Sequence, residues 1–388
     1  MSATMAPAAT PSPASVVGGI PFTVASRPQS RYSNVQTVSN LNGPVSFQVV
    51  QLPATGWVRR ISLFFNASMT CASAAALVAG DAPWNLINAI TLTDATGQPV
   101  QQPISGYNLY LVNKFMGSGV EKTNIPRIGQ CKQLGPEFNL ATSSTSGSAT
   151  FRLDIDFEQD VNTGYGCIPN LDSNASLQLK VDVAQYTNAF TGTTVSAASV
   201  SMRVSQYYWA PVPATIGGQP VEMAPPGAGD YVETRYETQV VSPSSENLIT
   251  VTNRGGFIKG VILVSRAAGV RTAITPATNV GVLLDNQPID EGIPVEEKYD
   301  LFRRTYGFLG ADLTTSYAPL SAGVLPGLDR GVVPVDFEPL SGYRDSWLNT
   351  RVGSLFQFKL TPGASASTIE IITQLAQVRD SGAFFARD

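Results

Sequence analysis

The chain has 388 residues, 43% hydrophobic but only 14% charged, with a net charge of −4, where about 25% charged is usual. It is long enough for two ordinary cores and too poor in cationic groups for a broad phosphate-binding face. It contains no histidine, which removes Ser-His-Asp and Cys-His catalysis, HExxH zinc sites and the His-ligated metal of a double cupin. Two readings of the low charge stay open. The surface is covered by other subunits, or it is a neutral one of Ser, Thr, Asn and Gln.

Residues 1–30 hold five prolines and a single charge, Arg27. Proline at this density prevents a continuous helix or strand, so the segment reads as an extended arm, dispensable for folding, with Val16–Phe22 as a short apolar anchor. No basic segment followed by an apolar run opens the sequence, so no secretion signal is expected. The small-apolar stretch Ala72–Gly80 is too short to span a bilayer.

From Tyr32 onward the signal is period-2 alternation, which puts apolar residues on one face of a strand. Phe151, Leu153, Ile155 and Phe157 alternate with Arg152, Asp154, Asp156 and Glu158. Leu177, Leu179, Val181 and Val183 do the same, as do Val200, Met202 and Val204, then Phe356, Phe358 and Leu360, and Ile369 and Ile371. Turn clusters such as Asp94-Ala95-Thr96-Gly97 and Asp285-Asn286-Gln287-Pro288 separate the runs. Each half also predicts one helix. Tyr107–Met116 is closed by Gly117, and Val295–Tyr306 lies between Pro294 and Gly307 with Val295, Tyr299, Phe302 and Tyr306 on one stripe. Ala210–Asp230 carries five prolines and four glycines in 21 residues and reads as a semi-extended linker.

The halves look like copies. Arg31-Tyr32 answers to Arg235-Tyr236, Gly56-Trp57-Val58-Arg59 to Gly256-Phe257-Ile258-Lys259, and Gln98-Pro99-Val100 to Gln287-Pro288-Ile289. Tyr107–Tyr110 answers to Tyr299–Phe302, Asp156-Phe157-Glu158 to Asp336-Phe337-Glu338, Gly164-Tyr165 to Gly342-Tyr343, and Leu177–Val181 to Phe356–Leu360. The order never breaks. The expected fold is all-β: two tandem jelly-roll β-sandwiches, each with a short crossover helix. The expected layout is an arm at 1–30, jelly roll 1 at 31–212, a linker at 213–230 and jelly roll 2 at 231–388 with a short C-terminal tail.

Tandem sandwiches with matching helices, a Pro-rich arm and a Pro/Gly linker resemble the double jelly-roll major capsid proteins of tailless, internal-membrane-containing icosahedral phages, the tectivirus-like lineage. The resemblance is one of architecture and covers nearly the whole chain. It implies a homotrimer shaped as a pseudo-hexagonal capsomer, with neighbouring capsomers and vertex and minor capsid proteins as partners. It also implies an N-terminal arm near an internal viral membrane and residence in the virion. Residues 1–30 lack the basic amphipathic helix that binds anionic lipid.

Several residues invite a chemical reading. Asp154, Asp156 and Glu158, with Asp336 and Glu338, suggest a calcium site or a glycosidase-like acid/base pair. A solvated strand face inherited by duplication explains them better, since a catalytic pair is rarely needed twice. Trp57 and Phe257 suggest a ligand platform, but at strand starts beside Arg59 and Lys259 they read as core aromatics. Gly227-Ala228-Gly229-Asp230 lacks the GK[ST] ending of a phosphate loop. Asn66-Ala67-Ser68 and Asn174-Ala175-Ser176 match the glycosylation sequon by chance. Lys298, Arg303 and Arg304 are expected on a solvated helix face, pairing with Glu296 and Glu297 or with a neighbour. Cys71, Cys131 and Cys167 form no CxxC and read as reduced buried thiols, which suits assembly in a host cytoplasm. No catalytic residue, cofactor, metal or nucleic-acid site is expected. Two rival functions remain: a two-module carbohydrate-binding surface protein and a carboxylate-dependent double-sandwich hydrolase.

Overall fold

The computed structural model describes residues 19–71, 77–78, 81–117, 137–140, 146–160, 162–174, 176–191, 195–272, 274, 279–295, 297–298, 331–337, 346–353 and 355–376. A one-turn helix α1 (Phe22–Ala25) precedes the first sandwich. Its strands are β1 (Pro28–Tyr32), β2 (Gln36–Ser39), β3 (Val45–Ser46), β4 (Val50–Gln51), β5 (Gly56–Cys71), β6 (Leu77–Val78), β7 (Ile87–Thr93), β8 (Pro99–Ile104), β9 (Glu137–Leu140), β10 (Ser146–Asp156), β11 (Ile168–Asn170), β12 (Gln178–Val183), β13 (Phe190–Thr191) and β14 (Val195–Trp209). Helix α2 (Gly106–Met116) follows β8. A hairpin of β15 (Thr215–Ile216) and β16 (Gln219–Pro220) leads to the second sandwich. That sandwich has β17 (Val232–Val240), β18 (Asn247–Thr250), β19 (Phe257–Ala267), β20 (Val270–Arg271), β21 (Gly281–Leu284), β22 (Gln287–Asp290), β23 (Val332–Asp336), β24 (Leu348–Asn349), β25 (Phe356–Leu360) and β26 (Thr368–Ala376).

The topology is written twice. The first large sheet runs β1-β14-β5-β10-β9 with β11 beside β5, and the second runs β17-β26-β19-β20 with β23 and β24 beside β19. The small sheets run β3-β12-β7-β8 and β18-β25-β21-β22. Register bears out the matched motifs that fall on described strands, while residues 299–302 and Gly342-Tyr343 lie outside the described residues. Tyr32 faces Ser205, which faces Ser62; Tyr236 faces Ile372, which faces Ile262. Trp57 and Phe257 begin equivalent central strands. The ladder slips at the same step in both, beside Arg59 between Tyr207 and Tyr208, and beside Lys259 between Ile258 and Gly260. Such bulges sharpen the twist of a long strand.

Alternation fills the cores as expected. Ile61, Leu63 and Phe65 of β5 meet Phe151, Leu153 and Ile155 of β10 and Val200, Met202 and Val204 of β14. Phe356, Phe358, Leu360, Ile369 and Ile371 fill the second core with Val261 and Leu263. Turn chemistry sets the hairpins. Asp94 accepts from the N–H groups of Thr96 and Gln98 at 2.8 and 2.9 Å, an Asx-type turn. Its counterpart Asp285-Asn286 holds φ of 50° and 64°, the left-handed pair that a tight type I′ hairpin requires.

Residues 20–30, read from sequence as an arm, belong to the folded body. β1 starts at Pro28 and pairs along β14. Phe22 is buried between Trp57 and Trp209, with ring centroids 6.4 and 6.2 Å away, and Val212 and Val221 close that small cluster. An aromatic in a Pro-rich segment can still seal a sheet end, because the burial uses one side chain and no extended ladder. The second predicted helix shows its start: Lys298 N–H donates to the Pro294 carbonyl at 3.0 Å. Residues 299–306 lie outside the described residues.

Candidate functional site: the seam and the outer sheet faces

Helix α2 forms where its ends are capped. The Ser105 hydroxyl accepts from Asn108 N–H at 3.2 Å, and Gly117 ends the run. Gly106 is required at the start, since a Cβ there would lie 2.4 Å from the Trp84 carbonyl oxygen. The helix is buried on nearly every side, so it joins two bodies instead of lining one. Asn113 ties it to β10, exchanging hydrogen bonds of 2.8 and 2.9 Å with the Asp154 backbone. Its other side meets the outer face of the second large sheet. There Ile262, Val264, Val332 and Ile372 merge into the first sandwich's core. Four apolar residues on the outside of a sheet otherwise cost exposed area, at about 25 cal/mol per Å².

Charged pairs rim this dry contact. Asp81, ahead of α2, receives Arg266 at 2.7 Å and Arg271 at 2.9 Å. Both guanidinium groups also lie over the Tyr107 ring, at 5.6 and 5.7 Å. Arg266 also forms an ion pair with Glu370 at 2.7 Å. Burial works against its charge, and the two carboxylates outweigh that and hold its proton more tightly than usual. Gln101 Nε2 donates to the Thr234 carbonyl at 3.0 Å, and Lys259 Nζ reaches Gln159 Oε1 at 3.0 Å. A cavity of about 20 Å³ beside Asn113, Asp156, Thr234 and Gln374 has room for about one water.

The carboxylate triplet sits at this seam and is not the solvated face expected of it. Asp154 and Glu158 are buried and Asp156 largely so. Alternation told which side of β10 they occupy, not what covers that side. Asp156 pairs with Arg60 and Asp154 with Arg152 at 2.8 Å. Glu158 accepts from Arg59 at 2.7 Å and from Trp209 Nε1 at 2.8 Å. Burial pushes Asp156 up to about 6, with Asp154 adding to the rise and Arg60 opposing it. Burial also raises Glu158 against the hydrogen bond from Arg59. With its oxygens taken by arginines, the triplet offers no open position to a substrate or cation. Among the described residues no three His, Cys, Asp or Glu side chains gather as metal ligands.

The other candidates fall as follows. Phe257 is buried, and Trp57 is half-buried against Phe22. Asp336 and Phe337 are partly buried at the end of β23, and Glu338 lies outside the described residues. Lys298 pairs with Asp290 at 3.3 Å and is buried, so it leaves the solvated face predicted for it. Arg303 and Arg304 lie outside the described residues. Gly227 turns under the Tyr165 ring at φ 58°. Cys167 is a buried free thiol whose pKa burial raises, while Cys131 lies outside the described residues. Asn66 is exposed on β5, and Asn174 sits in an exposed turn.

The equivalent outer face of the first large sheet has a different character. The positions of Ile262, Val264 and Ile372 are taken by Ser62, Phe64 and Ser205, as the strand pairing fixes them. Asn66, Ser68, Ser199 and Ser201 extend this neutral surface. Phe64 is 39% and Tyr32 59% exposed, and Arg203 lies 5.7 Å from both rings. The two faces differ in sequence: apolar residues stand on the outer side of β19 and β26, and Ser and Asn on the outer side of β5 and β14.

No protein-family model matches the sequence, and no curated protein matches it. Solved structures do. The crystal structure of the STIV MCP, the major capsid protein of Sulfolobus Turreted Icosahedral Virus, aligns with a TM-score of 0.59 at 13% identity, covering 93% of this chain and all of that one. A chain from the atomic structure of the same virus aligns equally well over 91% of each chain. The major capsid protein P2 of Bacteriophage PM2 aligns with a TM-score of 0.51 at 11% identity, over 91% of this chain and 99% of its own. At these identities the likeness is one of fold, and the chain has the double jelly-roll fold of these major capsid proteins.

Proposed function

We propose that this chain is a major capsid protein, a structural subunit that closes into trimers whose six sandwiches tile an icosahedral shell. The observation that carries the reading is the repeated topology joined through α2. One sandwich's helix covers the outer sheet face of the other, and on the same face of the first sandwich Tyr32, Phe64, Asn66 and Ser68 are exposed. A head-to-tail contact of this kind closes into a ring when its rotation permits, and two similar sandwiches per chain turn a three-fold ring into a pseudo-six-fold tile. Similarity in fold over the full length of the STIV and PM2 proteins supports it, as does a surface with few charges. The carboxylates at the seam are held by arginines, which supports a role without catalysis, cofactor or nucleic-acid contact. In the same reading the partners are a second and third copy, neighbouring capsomers, and vertex and minor capsid proteins. The N-terminal arm lies near an internal membrane, and assembly takes place in the host cytoplasm before residence in the virion.

The test is sedimentation of the full-length protein at micromolar concentration, followed by electron microscopy. A trimer of the 41.1 kDa chain, with contacts burying well over about 1,000 Å², is expected. A stable monomer that binds sugar would move the chain to the carbohydrate-binding class. Turnover of a glycosidic or amide substrate would move it to the hydrolases.

A further inference from the structure

Within the chain, β8 of the first sandwich lies against β17 of the second. Gln101 on β8 is 3% exposed and Thr234 on β17 is 5% exposed. Strand register identifies the counterparts of both. Gln101 faces Leu92 where Asp290 faces Val282, one step past the same slip in the same hairpin. Thr234 faces Gln374 where Ser30 faces Tyr207. So β22 corresponds to β8, and β1 corresponds to β17. Both counterparts are exposed at every residue. The fold therefore contains one used copy of this contact and one unused copy, with the two unused halves at opposite ends of the molecule's internal order.

The unused halves complement each other. On the β1 side, Arg27 and Arg31 are exposed. Arg31 precedes Tyr32 on this edge strand, and Tyr32 and Phe64 both lie against Arg203 on the outer face, so the edge is cationic with flat apolar groups beside it. On the β22 side, Asp285, Asp290 and Glu291 are exposed, with Ile289 48% exposed among them. Opposite charge steers and registers a protein contact, and exposed aromatics at its middle supply buried area. The used contact is lined with Ile and Val, and the unused one with Ser, Arg and Tyr. This is the difference between a contact made during folding and one made later, between chains that must first remain dissolved.

We propose that β22 of one copy docks on the β1 edge of a second copy, repeating between chains the β8–β17 contact made within each chain. The proposal rests on the capsomer reading and names the surfaces that close it. Each copy gives β22 and receives on β1, so the contact is heterologous and a ring of three uses every site.

The full-length protein tests this. Arg31→Glu and Glu291→Arg are each expected to weaken trimerisation at least 100-fold in sedimentation without lowering the melting temperature of the subunit. Asp290 is left in place because it holds the buried Lys298. The combined charge swap is expected to restore the trimer. As a second readout, Gln29→Cys joined with Ile289→Cys is expected to give covalent dimers and trimers on oxidation and nothing larger. If the unmodified protein is a trimer, but neither single substitution weakens it and the cysteines do not crosslink, these surfaces are wrong while the capsomer reading stands. A ladder running past three would overturn ring closure at this contact. If the unmodified protein is a monomer at micromolar concentration, the capsomer reading falls and this contact with it.

Discussion

Met116, the last residue of α2, lies directly over Gly260 of the second sandwich. A Cβ on Gly260 would stand 2.6 Å from Met116 Cε and 2.8 Å from the Val335 carbonyl oxygen. The thioether is able to swing aside, but the backbone oxygen is not. Gly260→Val is therefore expected to overpack the seam and cost about 1–3 kcal/mol in denaturant melts. Combined with Met116→Ala it should recover part of that loss, because neighbouring substitutions couple. Additive effects would show that the seam does not close at this point.

The Asp81 clasp sets a second expectation. Asp81→Ala leaves the buried Arg271 without that carboxylate and Arg266 with Glu370 alone. Breaking a buried pair from one side costs about 3–5 kcal/mol. Urea melts should show a loss near the low end of that range, since Arg266 keeps one partner. A loss below about 1 kcal/mol would mean that water already screens the clasp.

Phe22→Ala is expected to cost about 3–5 kcal/mol, as large buried aromatic truncations do. The ring is 1% exposed and holds Trp57 to Trp209. Removing residues 1–30 entirely is expected to destabilise the subunit further, because it takes away β1 as well. An unchanged melting temperature after that deletion would show that this end of the sheet is closed without Phe22.

Asp156 predicts a pH response. Its folded pKa of about 6 stands above the ordinary 3.8, so the folded chain binds this proton more tightly than the unfolded one. The stabilisation is complete below about pH 4 and is lost as pH rises through about 6. Glu158, also raised, acts in the same direction. Asp156→Asn does not titrate, so its melting temperature should gain on that of the parent chain between about pH 4.5 and 7.5. A difference that stays flat across this window would place Asp156 in ordinary ionised form at the seam.

What the sequence made legible follows from what periodicity encodes. The alternation of Phe151, Leu153 and Ile155 reports which side chains share a face, and those residues fill the core. Motif pairs such as Arg31-Tyr32 and Arg235-Tyr236 report equivalence, and register upheld it. Periodicity carries nothing about what lies over the second face. Ile262, Val264 and Ile372 made β19 and β26 apolar on both sides, the one available signal that another body covers that sheet. Reading it would have placed Asp156 and Glu158 in the seam and not in water. Phe22 was hidden by its proline-rich context, which forbids long regular elements but not a single anchored ring. Lys298 was assigned to partners on its own helix, whereas its partner Asp290 sits on the preceding strand.

The β15–β16 hairpin turns at Gly217 and Gly218, both with positive φ and with no atom within 4 Å of where a Cβ would stand. Among the described residues nothing rests on this tip, and lengthening an open turn adds only about 0.6 kcal/mol of closure entropy for each doubling. The tip is therefore an insertion port. A foreign peptide spliced between the two glycines would leave both sandwiches and their seam untouched. Every copy of the chain would then carry one such peptide at a fixed position, making the molecule a periodic display scaffold.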